Sequence, residues 1–145
     1  MQPVLLDTSI YITALRLRPE AALGLRRIAA GGPVWLSSVV LEELYAGAST
    51  RNRHIVEHLE RDFHRAGRLL VPSLTDWTQT GKVVALLGAK YGYEQVGKGR
   101  LTNDSLIAMS AGRLGITVIT ANARDFAKLA EFRPFRWRIE RPEAH

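Results

Sequence analysis

The sequence contains no cysteine among its 145 residues. Disulfide bridges and thiolate metal sites are therefore excluded, which suits the reducing environment of the cytosol. No apolar run reaches the roughly 18 residues that a membrane-spanning helix needs. The start of the chain also lacks the basic region followed by an apolar region that marks a leader peptide. We expect a cytoplasmic protein that does not associate with a membrane.

Motifs for nucleotide, zinc and covalent chemistry are all incomplete. Residues 92–98 spell G-x-x-x-x-G-K, but Gly99 follows where a phosphate-binding loop needs serine or threonine. His54 and His58 have the spacing of a zinc pair on a helix, yet no third ligand is evident and the rest of their stripe is arginine. A solvent-exposed or phosphate-contacting face is the better interpretation. Ser9 does not lie in a nucleophile-elbow sequence, which argues against a covalent hydrolase.

Positive charge is what the sequence has in excess. Its 20 basic residues against 14 acidic ones give a net charge of +6 and a pI near 10.2. This balance favours a polyanionic partner such as nucleic acid, although a generic arginine-rich surface has the same composition. The length and a hydrophobic fraction of 46% predict one globular domain over residues 1–145.

Strand-like and helix-like segments alternate along the chain without repeats or a linker. The predicted strands are residues 4–6, 33–36, 69–71, 116–120 and 135–139. The predicted helices are residues 10–17, 19–30, 38–48, 53–66, 76–91, 103–114 and 123–129. Thr75 is the predicted cap of the fifth helix, and residues 93–101 are predicted to form a loop. Such alternation implies right-handed crossovers and a three-layer α/β/α domain with a parallel sheet.

The first strand delivers an aspartate to its carboxyl end. Residues 4–6 are apolar, as in a strand buried on both faces, and Asp7 follows them at the edge where open α/β sheets bind ligands. A buried carboxylate is costly unless it is paired or coordinates a cation. Thr8 and Ser9 add hydroxyls beside it. The alternative is that Asp7 or Thr8 only caps the following helix.

A second acid lies in the third predicted helix. Glu43 shares a helical stripe with Val39 and Gly47, which predicts a position near the packed side of the helix. Glu42 lies about 100° around the same helix. The alternative is that Glu43 is an ordinary surface residue.

Two further acids lie later in the chain. One is near the start of the sixth predicted helix, and the other follows the fourth predicted strand. Asp104 heads the apolar stripe of the predicted helix 103–114, and Asn122 and Asp125 follow the strand that ends at Thr120. Singly, Asp104 could only favour a helix dipole and Asp125 could only close a capping box with Asn122. Jointly, four acids at one sheet edge make the all-oxygen cluster that a hard divalent cation requires.

Four blocks of this sequence resemble the PIN domain, in particular the VapC-like toxin ribonucleases of toxin–antitoxin modules. The blocks are V-L-L-D-T-S at residues 4–9, V-L-E-E-L-Y-A-G at 40–47, N-D-S-L-I-A at 103–108 and T-A-N-A-R-D-F at 120–126. They stand in the same order at matching intervals, and the similarity covers essentially the whole chain. The resemblance implies a five-stranded parallel sheet in the order 3-2-1-4-5 and a magnesium- or manganese-dependent endoribonuclease.

The resemblance also assigns roles to individual residues. Asp7 corresponds to the first acid of the family, Glu43 to its glutamate and Asp104 to its third acid, and these three are the implied metal ligands. Some relatives carry an acid where this chain has the neutral Asn122, so Asp125 is expected to serve as the fourth acid, through a water molecule. The implied supporting contacts are Thr8, Ser9, Thr120 and Asn122.

The implied chemistry needs no nucleophilic side chain. A metal held by the three acids would lower the pKa of a bound water molecule and neutralise charge on the scissile phosphate. Lys98, Arg100 and Arg124 are the predicted phosphate contacts, since the surface around the acids is positive. The resemblance further implies an RNA substrate, a cognate antitoxin and a homodimer.

Two other functions remain open at this point. A phosphatase of the haloacid-dehalogenase type would use Asp7 as nucleophile, but it requires a second acid two residues later, where this chain has Ser9. A non-catalytic RNA- or protein-binding module is the other alternative. The four acids argue against RNA binding without catalysis, because bare carboxylates repel RNA.

Overall fold

Strands and helices alternate along residues 2–28, 32–96 and 100–140, the part of the chain that this computed structural model describes. The strands are β1 (Val4–Leu6), β2 (Val34–Ser37), β3 (Leu69–Leu70), β4 (Thr117–Thr120) and β5 (Trp137–Ile139). The helices are α1 (Thr8–Leu17), α2 (Ala21–Ile28), α3 (Ser38–Gly47), α4 (Arg53–Arg65), α5 (Leu74–Tyr91), α6 (Tyr93–Val96), α7 (Arg100–Arg113) and α8 (Ala123–Ala130).

The five strands form one parallel sheet in the order β3-β2-β1-β4-β5. Leu5 of the central strand β1 pairs with Trp35 of β2 on one side and Val118 of β4 on the other. Its side chain is completely buried, as expected for a strand covered by helices on both faces. The predicted fold class and strand order are confirmed.

The helices that flank the sheet bury apolar stripes against it. Helix α4 is the clearest case, because Ile55, Val56, Leu59 and Phe63 recur at helical spacing and are all buried. Val56, Leu59 and Phe63 join the strand residues in a continuous apolar core. Packing of these stripes holds the strand ends in place, and the strand ends carry the candidate site residues.

The start of helix α5 differs from the prediction. Ser73, rather than Thr75, is the N-cap: its hydroxyl accepts from the Asp76 backbone N–H at 3.2 Å, and the Asp76 carboxylate accepts from the Ser73 N–H at 2.8 Å. This reciprocal capping box satisfies two backbone donors at once. Thr75 has no acid three residues later, so it cannot form the same pair.

Helix α7 also begins earlier than predicted, at Arg100 instead of Asn103. Asp104 therefore lies in the second turn of the helix, and no acidic residue occupies the first turn. The helix-dipole alternative for Asp104 loses its basis, since that effect is confined to the end turns. The predicted loop 93–101 is replaced in part by α6 and the start of α7, while residues 29–31 and 97–99 lie outside the described residues.

Within the described residues, no helix is both long and apolar enough to cross a membrane.

Candidate active site

A pocket of about 920 Å³ opens at the carboxyl-terminal edge of the sheet. It lies where the β1–α1 junction, helix α3, helix α7 and the start of helix α8 meet. All four predicted acids line it, so the sheet topology brings together residues that are far apart in the sequence. The charged residues of its lining are Asp7, Glu42, Glu43, Asp104, Arg124, Asp125 and Lys128.

Asp7 is the most deeply buried of these acids, with only 3% of its surface exposed. Its Oδ2 accepts hydrogen bonds from Ser9 Oγ at 3.0 Å and Thr120 Oγ1 at 2.9 Å. Its Oδ1 is buried and has no hydrogen-bond partner among the described residues. Asp7 occupies the N-cap position of α1, but its side chain accepts no helix N–H. The capping alternative therefore does not explain this carboxylate.

Two backbone N–H groups position the hydroxyls that bind Asp7. The Ala121 N–H donates to Ser9 Oγ at 3.1 Å, and the Asn122 N–H donates to Thr120 Oγ1 at 2.9 Å. Each hydroxyl can then donate its own proton to the carboxylate. The β4–α8 connection is thereby joined to the end of β1, and both hydroxyls are directed to the same oxygen, Oδ2. Neither hydroxyl is bound to the second oxygen of Asp7, Oδ1.

Glu43 is half-buried and is held by neighbours from two other segments. Thr8 Oγ1 donates to Glu43 Oε1 at 2.8 Å, and the side chain of Asn103 also forms a hydrogen bond with Glu43. Burial is the largest influence on the pKa of Glu43 and raises it; Asp7 and Glu42 raise it further, and the two hydrogen bonds only partly oppose this. Additional positive charge near Glu43 would stabilise its ionised form.

Helix α3 presents both of its glutamates to the pocket. Val39 is buried as predicted, but Gly47 is exposed at the pocket rim. Glu43 is therefore only partly covered, and Glu42 is exposed. The predicted difference between the two remains, because the hydrogen bonds from Thr8 and Asn103 go to Glu43.

The fourth acid has a structural partner. Asn122 Nδ2 donates to Asp125 Oδ2 at 2.8 Å, and the Asp125 N–H donates to Asn122 Oδ1 at 3.4 Å. The N-cap half of the capping alternative therefore exists at the start of α8, but the Asn122 N–H donates to Thr120 Oγ1, so these bonds do not complete a capping box. Asp125 nevertheless lines the same pocket as Asp104, which is 7% exposed. Its role as fourth acid remains a prediction.

The predicted basic contacts are placed unequally. Arg124 is exposed and lines the pocket, as expected. Arg100 is the first residue of α7, and Lys98 lies outside the described residues, so their phosphate contacts stay predictions. Sequence reasoning did not identify Asn103 and Lys128 as site residues. The available signals were that Asn103 is next to Asp104 and that Lys128 lies one helical turn after Arg124.

The pocket contains the type of ligand atom that a hard divalent cation prefers. These atoms are carboxylate oxygens, and the buried Asp7 Oδ1 lacks a partner in the described part of the chain. No three carboxylate or imidazole groups of the described residues form a ready-made metal cluster. Magnesium does not require such a cluster, since proteins commonly bind it through one or two carboxylates, with water molecules and phosphate oxygens as the other ligands.

Comparisons with known proteins agree with this architecture. The family model described as "PIN domain" matches residues 4–132. The DNA-bound VapBC structure from Salmonella typhimurium is 25% identical, with a TM-score of 0.67 over 96% of this chain and 98% of the other. The DNA-bound VapBC2 structure from Rickettsia felis is 23% identical, with a TM-score of 0.65 over 97% and 100%. A search of curated proteins finds no match.

A third structure extends the likeness to another organism. VapBC-5 from Mycobacterium tuberculosis, whose structure is described as a member of the VapBC family of toxin–antitoxin systems, is 24% identical. Its TM-score is 0.55, over 98% of this chain and 100% of the other. The similar structures therefore share the fold along nearly the full length of both chains.

Proposed function

The chain belongs to the PIN domain family, a family of nucleases, and from this premise we propose that it is a metal-dependent endoribonuclease. The observation that carries the proposal is the buried Asp7 carboxylate, whose Oδ1 has no partner among the described residues. An ionised carboxylate is costly in such a place unless a cation compensates it. In a metal-dependent nuclease, the bound metal ion would be that cation.

In this proposal Asp7, Glu43 and Asp104 would hold magnesium or manganese, either directly or through water molecules. When bound, the metal supplies an activated water molecule and compensates charge on the scissile phosphate. Ser9 and Thr120 keep Asp7 in place through Oδ2, while Thr8 and Asn103 orient Glu43. Asp125 completes the acidic lining and would act on the metal through a water molecule. The remaining ligands are water and phosphate oxygens.

RNA is the proposed substrate because the acidic pocket lies in a basic protein. The net charge is +6 even with the pocket acids included, so the surface outside the pocket is more positive still. A positive surface attracts a phosphodiester backbone through counterion release. Arg124 at the pocket is the predicted contact that the structure supports most directly. Lys98 and Arg100 are proposed to extend this surface.

We propose further that the chain is the toxin of a toxin–antitoxin pair. The support is its likeness to the VapBC structure from Salmonella typhimurium, 25% identical over 96% of the chain. A cognate antitoxin would then be its protein partner, and a homodimer is its proposed assembly. The phosphatase alternative gains no support, because Ser9 holds the position of the second acid and donates to Asp7 instead.

The decisive experiment is cleavage of labelled single-stranded RNA by the purified chain, freed of antitoxin. We expect cleavage with magnesium or manganese and none in excess EDTA. Cleavage that EDTA leaves unchanged would contradict metal dependence. Release of phosphate from an aryl phosphate, with a trapped acyl-phosphate on the protein, would favour the phosphatase.

A matched pair of variants tests the site assignment. Glu43→Gln should reduce cleavage about a hundredfold, or nearly 3 kcal/mol of transition-state stabilisation. Glu42→Gln changes the neighbouring residue in the same way but removes no bond to Thr8 or Asn103. We expect the second variant to keep most of the activity. Equal losses in the two proteins would show that the ligand on α3 is misassigned.

A further inference from the structure

Strand β5 forms one end of the sheet, and within the described residues it pairs with β4 only. That pairing uses one side of its backbone: the Arg136 C=O accepts from the Val118 N–H at 2.9 Å. Successive residues of a strand direct their N–H and C=O groups to opposite sides in the plane of the sheet. The N–H and C=O groups of Trp137 and Ile139 therefore face away from β4, along the open edge.

The outward backbone groups of β5 are open to a partner. None of the hydrogen bonds among the described residues involves the N–H or C=O of Trp137 or Ile139 on that side. An edge with both donors and acceptors is where an extended peptide can add as a further strand, because a peptide pairs both kinds of group. The phosphates of a nucleic acid only accept hydrogen bonds and would leave the outward C=O groups unpaired.

One face of β5 is basic. Arg136 and Arg138 are two residues apart, so their side chains lie on the same face of the sheet, and both are exposed. Arg136 Nη1 donates to the neutral Gln2 Oε1 at 2.8 Å. In the part of the chain that the structure describes, neither arginine forms an ion pair with a carboxylate. Glu140, the next residue on this face, leaves an excess of positive charge.

The other face of β5 is apolar. Trp137 is partly buried against the core, while Ile139 is 44% exposed. The side chains of a strand added beside β5 would alternate between the same two faces. Acidic side chains on one face would then lie beside the two arginines, and apolar side chains on the other would cover Ile139. Charge and polarity together specify a peptide in which acidic and apolar residues alternate.

We infer that β5 binds an extended segment of a partner protein, with alternating acidic and apolar residues, as an additional strand of the sheet. This inference goes beyond the proposed function and does not depend on it, since no residue of β5 lines the active-site pocket. A second copy of this chain is a poorer occupant. Two β5 strands side by side would place Arg136 and Arg138 near the same arginines of the other copy, and like charges on adjacent strands are destabilising.

The competing explanation is that the arginines only protect the edge. Natural sheets place charged side chains on edge strands to prevent unwanted pairing, and such an edge has no peptide partner. Non-specific attraction of acidic peptides to a basic protein is a further alternative. Arg61 and Arg65 provide the matched control for it, because they are exposed and lie one turn apart on α4.

The test titrates a fluorescein-labelled peptide of eight residues, alternating glutamate and valine and capped at both ends, with the purified chain and follows its anisotropy. We expect saturable binding, which Arg136→Gln with Arg138→Gln should weaken about tenfold. Arg61→Gln with Arg65→Gln should change it less than about twofold, since neither residue is part of the edge. A peptide alternating lysine and valine should not bind.

Backbone pairing is tested separately from charge. Ile139→Pro removes an outward N–H but no bond to β4, a position at which edge strands tolerate proline. It should weaken binding about fivefold, as expected for one lost hydrogen bond, and thermal melts check that the variant folds. Two further peptides, methylated on the backbone nitrogens of either the glutamates or the valines, probe the unaltered protein. One should lose binding and the other retain it, because only one set of nitrogens faces β5.

Three outcomes would overturn the inference. They are no binding of the glutamate–valine peptide, equal losses for the two arginine pairs, and equal binding of both methylated peptides. Binding of single-stranded RNA that requires Arg136 and Arg138, without peptide binding, would assign this edge to RNA instead. RNA cleavage by the wild type is measured separately, and the β5 variants should retain it. Failure of the inference therefore leaves the proposed function intact, and failure of cleavage leaves the inference intact.

Discussion

Two buried aspartates of this protein are surrounded in opposite ways. Asp76, at the start of α5, is 2% exposed, and both of its oxygens are bound: Arg113 Nε lies 3.0 Å from Oδ1, while Arg113 Nη2 and the Ser73 N–H bind Oδ2 at 3.0 and 2.8 Å. Asp7 is 3% exposed and its Oδ2 accepts hydrogen bonds from two hydroxyls, while its Oδ1 has no partner in the described part of the chain.

The difference shows that burial alone does not reveal the role of a carboxylate. Burial by itself raises the pKa of Asp76, but hydrogen bonds from Arg113 and Ser73 outweigh it, and the pKa lies below its ordinary value. Asp76 is thus compensated inside the protein and joins α5 to α7. The hydroxyls around Asp7 carry no charge, and the metal ion of the proposed function would supply the compensating positive charge.

The largest expected effect comes from changing the incompletely paired aspartate. Asp7→Asn should reduce RNA cleavage about a thousandfold, corresponding to about 4 kcal/mol of transition-state stabilisation, because it removes a proposed metal ligand. Metal-free stability should stay the same or rise, since the amide oxygen can still accept from Ser9 and Thr120. Cleavage assays and thermal melts in EDTA measure the two effects.

Asp62→Asn on α4 is the control for this comparison, because Asp62 lies outside the pocket and contacts His58. It should leave cleavage unchanged. An Asp7→Asn protein that keeps a tenth or more of the wild-type rate would contradict the assignment of Asp7.

The second prediction concerns the fully paired aspartate. Asp76→Asn should lower the free energy of unfolding by about 2 to 3 kcal/mol. This loss is smaller than the one expected for a fully buried ion pair, because part of the Arg113 side chain is exposed to water. Urea unfolding measures this loss. Cleavage per folded molecule should be unchanged, since Asp76 does not line the active-site pocket.

A double variant shows whether the loss comes from the unpaired arginine. Asp76→Asn with Arg113→Met removes both charges and should recover part of the lost stability. A double variant that is less stable than the sum of its single variants would contradict this explanation.

The third prediction uses the lowered pKa of Asp76. A carboxyl group with a lower pKa in the folded state contributes stability that is present above its unfolded value, near 3.8, and is lost as the pH falls toward the folded value. Part of the acid-induced loss of stability should therefore disappear in Asp76→Asn. Urea unfolding of both proteins at several pH values between about 3 and 6 checks this. Parallel stability curves for the two proteins would show that Asp76 does not contribute.

The smallest effect should come from the hydroxyls that position Asp7. Ser9→Ala removes one of two donors to Oδ2 and leaves the Ala121 N–H without its hydroxyl acceptor. Loss of about 1 kcal/mol would reduce cleavage about fivefold. Ser110→Ala is the matched control, because that buried hydroxyl donates to Leu106 O inside α7 and lies outside the pocket. Equal losses of cleavage in the two variants would indicate a general effect of stability.

Local patterns in the sequence predicted most of the strands and helices, and they predicted that the four acids lie together at one edge of the sheet. Three apolar residues followed by Asp7 place an acid at the end of a buried strand, and the stripe of Ile55, Val56, Leu59 and Phe63 identifies α4; both features are found in the structure. The order of the strands came from the resemblance to the PIN domain, since alternation of strands and helices implies a parallel sheet without specifying which strands are neighbours.

The first residues of the helices were less predictable, because neighbouring residues can each act as the helix N-cap. Ser73 and Thr75 are both good helix caps, and the choice between them depends on Asp76, which can return a hydrogen bond to Ser73 only. Helix α7 likewise begins at Arg100, before the segment in which its apolar stripe becomes regular. That earlier start removed the helix-dipole explanation for Asp104.

The partners of the charged groups were decided by tertiary structure alone. Thr120 reaches Asp7 across 113 positions, Thr8 reaches Glu43 across 35, and Arg113 reaches Asp76 across 37. The sequence by itself determined the five strands and the helices other than α6, because hydrophobic periodicity and capping act over a few residues. Only the packed sheet determined that Asp76 is neutralised by an arginine while Asp7 is left with neutral hydroxyls, because hydrogen bonds depend on distances that packing sets.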